Sequence, residues 1–280
     1  MFTSVDRCPG IGCAAIGVTA DGGRTWRLTY RGRSATELAV APGTHDGWLA
    51  AGGCTTWWSC RPPLLRSHDG GLTWHTVGRA VLNPTFPTPT IGVGALYDAN
   101  GVWSLVHTHD YGRHWSRLRS PCGATAQYLV PSFITSRVGW VLCAGQPGAG
   151  HQLKAIFRTR DGGRGWHLVM NTGWTTQPRS ATPGGIPDAG YANRLAFSSS
   201  RGWVGQSEFF SYTSPDGGRT WRPVDFGFSP TAGGEIEDVS AVTGRTAYAL
   251  ARLDGGRRRE LLRTTDAGRS WQIVHTWRYS

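Results

Sequence analysis

Four carboxylates are the first candidates for chemistry. GGEIEDVS places Glu235, Glu237 and Asp238 in one short run, and IPDAG carries Asp188. Glycoside hydrolysis needs two carboxyl groups, one to protonate the leaving oxygen and one to act as base or nucleophile, so these acids form the candidate catalytic set. Acids at the start of a strand also serve as solvated turn residues, which is the competing role for all four. A second set could bind rather than react. Trp57 and Trp58 lie between Cys54 and Cys60 beside Arg61, and a Cys54–Cys60 bridge would hold both indoles in a closed loop where their faces stack on sugar rings or cations. Trp174 and the basic pair Arg257 and Arg258 belong to other long connections and extend this binding set. His107 and His109 form a His-x-His with His114 close by, which on a strand puts the first two imidazoles on one face. No further Cys or acidic ligand has suitable spacing, so no metal and no cofactor is expected.

The elements that must position these groups are set by a repeat. SPDGGRTW at 214–221 looks like a site in its own right, yet it has relatives: TADGGRTW at 19–26, SHDGGLTW at 67–74, THDYGRHW at 108–115, TRDGGRGW at 159–166 and TTDAGRSW at 264–271. The aspartates Asp21, Asp69, Asp110, Asp161, Asp216 and Asp266 are separated by 48, 41, 51, 55 and 50 residues. Apolar stretches flank each octet, so it reads as a hairpin turn in which Asp accepts backbone N–H groups and the second glycine supplies a positive φ. Between octets a strand near Gly-Trp recurs, as in DGWLAAG at 46–52, VGWVLCAG at 138–145 and RGWVGQS at 201–207. Each unit therefore reads as four strands, for example Glu37 to Ala41, Trp48 to Gly52, Leu64 to Ser67 and Trp74 to Val77.

The octets resemble the Asp-box, or BNR, repeat S/T-x-D-x-G-x-T-W, and the resemblance covers essentially the whole chain. The chain is similar to bacterial BNR-repeat and photosystem II assembly factor-like propellers, and more distantly to sialidases and xyloglucan-cleaving glycosidases. Repeat and resemblance together imply an all-β chain folded as a single β-propeller domain over 1–280. Six four-stranded blades are expected, at about 1–30, 31–79, 80–120, 121–171, 172–226 and 227–280, with seven and an incomplete N-terminal blade as the alternative. The resemblance implies that the six aspartates are structural turns on the blade periphery, away from any active centre. The chain lacks the Phe-Arg-Ile-Pro phrase of sialidases. Strand alternation puts the octets at one end and the long loops, with the candidate residues, at the other.

Composition bounds the rest. The chain has 29 basic and 18 acidic residues, a formal net charge of +11, and Lys154 is its single lysine. Arginine forks suit carboxylate, sulfate and phosphate groups, but the charge is diffuse and no specific nucleic acid is implied. Six cysteines pair naturally as Cys8–Cys13, Cys54–Cys60 and Cys122–Cys143, which points to an oxidising compartment: secreted, periplasmic or cell-surface. MFTSVDRCPG shows no export signal, so such a signal would have been removed or would lie upstream of Met1. No apolar run is long enough for a membrane helix. The expectation is an exported, non-catalytic monomer that binds a partner protein or an anionic glycan through its long loops. A glycoside hydrolase using Asp188, Glu235, Glu237 or Asp238 is the alternative, and a structural module of a larger surface protein is a third reading.

Overall fold

The computed structural model describes residues 2–5, 13–33, 35–51, 62–123, 126–175, 184–207, 211–227 and 234–278. Among these the regular structure is strand, apart from one 3-10 turn at Asp254–Gly256. Short apolar and β-branched runs punctuated by glycine allow nothing longer.

The chain divides into two compact units. The first holds a sheet of β1 (Phe2–Val5), β2 (Cys13–Val18) and β3 (Arg27–Arg33). It also holds β4 (Ala35–Val40), β5 (Gly47–Ala51), β6 (Pro63–Ser67) and β7 (His75–Arg79), and then β8 (Leu82–Thr85), β9 (Gly92–Tyr97), β10 (Trp103–Thr108) and β11 (Ser116–Leu118). The second unit begins with β12 (Tyr128–Phe133), β13 (Gly139–Ala144), β14 (Lys154–Thr159) and β15 (His167–Asn171). Next come β16 (Tyr191–Ser198), β17 (Arg201–Ser207), β18 (Ser211–Ser214) and β19 (Arg222–Pro223). The last sheet is β20 (Glu235–Ala241), β21 (Ala247–Leu253), β22 (Arg258–Thr264) and β23 (Gln272–Arg278). Every sheet pairs its strands antiparallel in chain order. First strands lie side by side within each unit: β4 beside β8, and β12 beside β16 beside β20.

The expectation of six four-stranded blades, or of seven, is thereby corrected. Five four-stranded blades form, and among the described residues the segment before Ala35 contributes a sheet of three strands. Counting octets overestimates complete blades because an octet specifies only the two strands it joins. TADGGRTW joins β2 to β3, and nothing in it requires two strands ahead of β2.

The Gly-Trp phrase has a packing cause. Phe133 lies over Gly139, where an added Cβ would come within 2.5 Å of the ring, and Phe197 lies over Gly202 in the same way. The tryptophan that follows faces the neighbouring sheet. Trp140 is fully buried and stacks on Phe197 at 3.9 Å, while Trp48 stacks on Phe86 at 3.6 Å. The octet tryptophan closes the sandwich edge-on, Trp221 against Phe197 and Trp115 against Phe86. Each such aromatic pair adds about 0.5–1.5 kcal/mol beyond the area it buries. The indole N–H of Trp140 donates to Gly217 O at 2.8 Å and that of Trp48 to Tyr111 O at 2.8 Å, both inside the next octet.

The two ends of the blades differ in what connects the strands. Octets sit beside the first turn of their own blade, since the N–H groups of Gly70, Gly162, Gly217 and Ala267 donate to His45, Arg137, Ser200 and Arg245 carbonyls. This is the turn end. Among the described residues, the connections at 145–153 and 184–190 meet at the opposite, loop end, where Gln152 N donates to Asp188 O and Gly190 N to Gly150 O.

Candidate functional site

At the turn end the octet aspartates are committed to their own turns. In SPDGGRTW, Asp216 Oδ1 accepts the hydroxyl of Ser214 at 2.9 Å and the backbone N–H groups of Arg219 and Thr220 at 3.1 and 2.9 Å. Its Oδ2 accepts the Thr220 hydroxyl at 2.7 Å, and Gly218 N donates to Ser214 Oγ at 2.9 Å. Asp21, Asp69 and Asp266 repeat this network. Asp110 receives His114 in place of the hydroxyl, and Asp161 receives Gly165 N. The hydroxyls of Thr25, Thr73 and Ser270 are the chief reason that Asp21, Asp69 and Asp266 lie well below the usual carboxylate range. For Asp216 burial pushes upward, but the bonds from Thr220 and Ser214 outweigh it. The second glycine of the octet has φ between 81° and 97° in all six copies. At Gly112 a Cβ would also sit 2.6 Å from Leu64, so conformation and space both demand glycine.

At the loop end of the last sheet the candidate carboxylates are held by arginines. Glu235 faces Arg252 across β20 and β21 and is ion-paired with it. Glu237, the extra residue of a bulge in β20, accepts Arg259 through both oxygens at 2.8 and 3.1 Å, with Arg252 Nε at 3.5 Å. Asp238 accepts Arg194 Nε from β16 at 3.1 Å and its side chain is 56% exposed. With more than half of its side chain open to solvent, the carboxylate keeps its hydration as well as the Arg194 guanidinium. Arg258 is tied to Asp254 at 2.9 Å and to the buried Glu260 at 2.8 Å, and exposed Arg257 donates Nε to Asp254 O at 3.3 Å. The acids are thus brought near one another, but each is partnered by a cation.

Asp188 belongs to a different cluster, built around the only lysine. Lys154 is fully buried at the start of β14, and Nζ donates to the carbonyls of Pro187, Asp188 and Ala189 at 3.0, 3.0 and 3.2 Å. Three donors meet three acceptors, which is the condition for burying an ammonium. Burial lowers it to about 8 against the opposing pull of the Asp188 carboxylate. Gln152 completes the stitching, donating to Gly145 O at 3.0 Å and accepting Ala192 N at 2.9 Å. The Asp188 carboxylate itself lies 3.6 Å from His151 Nδ1 at the surface. Trp174 lays its ring on Gly145, where a Cβ would be 2.8 Å from Cζ3. The result is a braced platform of two loops carrying Trp174, His151, Asp188 and Tyr191.

Other candidates fare differently. Trp57, Trp58, Arg61 and the Cys54–Cys60 pair lie outside the described residues, as does Cys8 of the Cys8–Cys13 pair. Cys122 and Cys143 are joined by a disulfide and are both buried. His109 Nε2 lies 3.1 Å from His107 Nδ1, whereas His114 turns to Asp110 at 2.6 Å, so the three histidines do not converge. Burial, with His109 adding to it, lowers His107. Two features were not singled out from sequence. Lys154 was visible only as a compositional oddity. The arginine three places before the octet aspartate lies over the aromatic of the second strand: Arg158 is 4.9 Å from Trp140 and Arg263 5.9 Å from Tyr248, while Arg66 is 4.1 Å from Tyr111. Aligning the octets a few columns further upstream would expose this position.

No protein-family model matches the chain, and no curated protein matches it. Solved structures do. The β-propeller domain of the Trilobed protease from Pyrococcus furiosus aligns over 98% of each chain at 10% identity and a TM-score of 0.51. The α-L-arabinofuranosidase Arb93A from Fusarium graminearum aligns over 90% of this chain and 84% of its own at 13% identity and 0.51. A YCF48 structure described as bound to D1 peptide aligns over 93% and 75% at 17% identity and 0.48. At 10% identity the likeness to the Trilobed protease domain shows a fold alone, and that fold is the β-propeller.

Proposed function

We propose that this chain is a non-catalytic binding propeller that presents the loop end of its second unit to a partner protein. The observation that carries this reading is the pairing of the loop-end charges. Glu235, Glu237 and Asp238 are held by Arg252, Arg259 and Arg194, and Arg258 is spent on Asp254 and Glu260. A carboxylate locked to a guanidinium is a poor base or nucleophile, and a neutralised arginine is a poor receptor for an anionic glycan. Braced loops bearing Trp174, His151 and exposed Arg257 suit a mixed polar and aromatic protein interface instead. The octets are of the Asp-box type in this reading, serving as scaffold. The buried Cys122–Cys143 disulfide supports a site of action outside the cytoplasm.

A hydrolase is the second reading because Asp238 is exposed beside Glu237, and two neighbouring carboxyl groups are what glycoside hydrolysis needs. A panel of aryl glycosides and polysaccharides separates the two. No turnover is expected from the wild-type chain, whereas hydrolysis abolished by Glu237→Gln would overturn the binding reading. On the binding side, photo-crosslinkers placed at His151 and Arg257 should capture a protein from cell-envelope extract that a crosslinker at Arg164 does not.

A further inference from the structure

The seam between sheets β16–β19 and β20–β23 carries, at its turn end, hydrogen-bond donors without acceptors. Arg201 opens β17 on the same face as Trp203, and Trp203 pairs with Thr213, which pairs with Arg222. Arg201, Trp203 and Arg222 therefore share one face of the fifth sheet. That face meets the last sheet, because Trp203 packs with Ile236, Val239, Ala249 and Leu262. The octet TTDAGRSW covers it and contributes Arg269. Both indole N–H groups converge there: from the point a Cβ on Gly268 would occupy, Trp203 Nε1 lies at 3.5 Å and Trp271 Nε1 at 4.0 Å.

Among the described residues none of Trp203 Nε1, Trp271 Nε1 and Arg201 Nη1 has a partner, although all three atoms are buried. The neighbouring seam shows what the ordinary arrangement is, since there Trp140 N–H is taken by Gly217 O. Nor is a carboxylate at hand to neutralise the arginines. Asp266 is saturated by Thr264, Arg269 N and Ser270, and Asp216 by its own turn. Burial, and then the charges of Arg222 and Arg269, weaken the hold of Arg201 on its proton. An unpaired buried donor is costly, and so is a set of close like charges.

We propose that this seam is a binding site for a tetrahedral oxyanion, a phosphate or sulfate group held by Arg201, Arg222 and Arg269 over the Trp203 and Trp271 indoles. Guanidinium forks match such oxygens, and a dianion removes the mutual repulsion of the three cations. The site lies at the opposite end of the blades from the proposed partner surface and does not depend on it.

The test uses the full chain and titrates inorganic phosphate and sulfate at constant ionic strength, with chloride as the control. Tryptophan fluorescence and melting temperature are the readouts. Saturable binding is expected, weakened about ten-fold or more in Arg222→Gln/Arg269→Gln, whose side chains are exposed, and unchanged in Arg278→Gln at the other end. A response equal to that of chloride, or an unchanged affinity in the double variant, overturns the proposal. A heparin-derived sulfated disaccharide distinguishes the source: binding with the same loss in the double variant assigns the site to an esterified group, and its failure beside a positive phosphate titration assigns it to the free anion.

Discussion

The two ends of the second unit use the same residue types in opposite ways. At the turn end each aspartate is bound to its own backbone, and Arg201, Arg219, Arg222 and Arg269 have no carboxylate partner among the described residues. At the loop end acids and arginines are bound to each other, as in Glu237 with Arg259 and Asp238 with Arg194. The formal charge of +11 is therefore not a uniform property of the surface. Cationic character is concentrated where the carboxylates serve the turn, and the loop end is left closer to neutral. Two ends of one scaffold can thus face partners of different chemistry.

The largest test of this contrast lies in the aromatic sandwich that fastens the turn end. Trp140→Ala removes a fully buried indole, its stack on Phe197 and its bond to Gly217, and should lower unfolding free energy by about 3–5 kcal/mol in denaturant titration. A loss near that of a surface substitution would mean the octet is not anchored through its neighbour.

At the loop end Lys154→Met leaves three carbonyls without their donor and should cost about 3 kcal/mol. Its pH dependence has a definite sign. The folded value of about 8 lies below the ordinary 10.5, so between them the unfolded chain holds a proton that the folded chain has released. Wild-type stability relative to Lys154→Met should rise from about pH 8 towards 10.5 and be level below pH 8. A flat difference across that window would show that the three carbonyls keep the ammonium charged.

A smaller effect is expected at a single octet. Asp216→Asn keeps an acceptor but loses the charge on its bonds, and should cost about 1–2 kcal/mol. The folded values of Asp21, Asp69, Asp216 and Asp266 lie below the ordinary 3.8, so their contribution is present above that pH and is lost as pH falls below it. Acid unfolding of Asp216→Asn should therefore be less steep than that of the wild type. An equal slope would move the acid-sensitive groups to the loop-end ion pairs.

The octets were legible from sequence because their physics is local. The bonds that the Ser214 and Asp216 side chains make within SPDGGRTW join residues no more than four apart, so six copies could be recognised and their role as turns inferred before any strand was placed. Their number misled about complete blades for the same reason, since a local motif says nothing of the strands beyond its own hairpin. The candidate acids were legible as residue types but not as a site. Glu237 and Arg259 are 22 positions apart, Arg194 and Asp238 are 44, and Lys154 reaches carbonyls more than 30 residues away. Such distances close only when sheets pack, because burial and strand register choose the partner that each charge meets. Hairpin turns follow from neighbouring residues, whereas the state of a carboxylate or a guanidinium follows from whatever the fold sets against it.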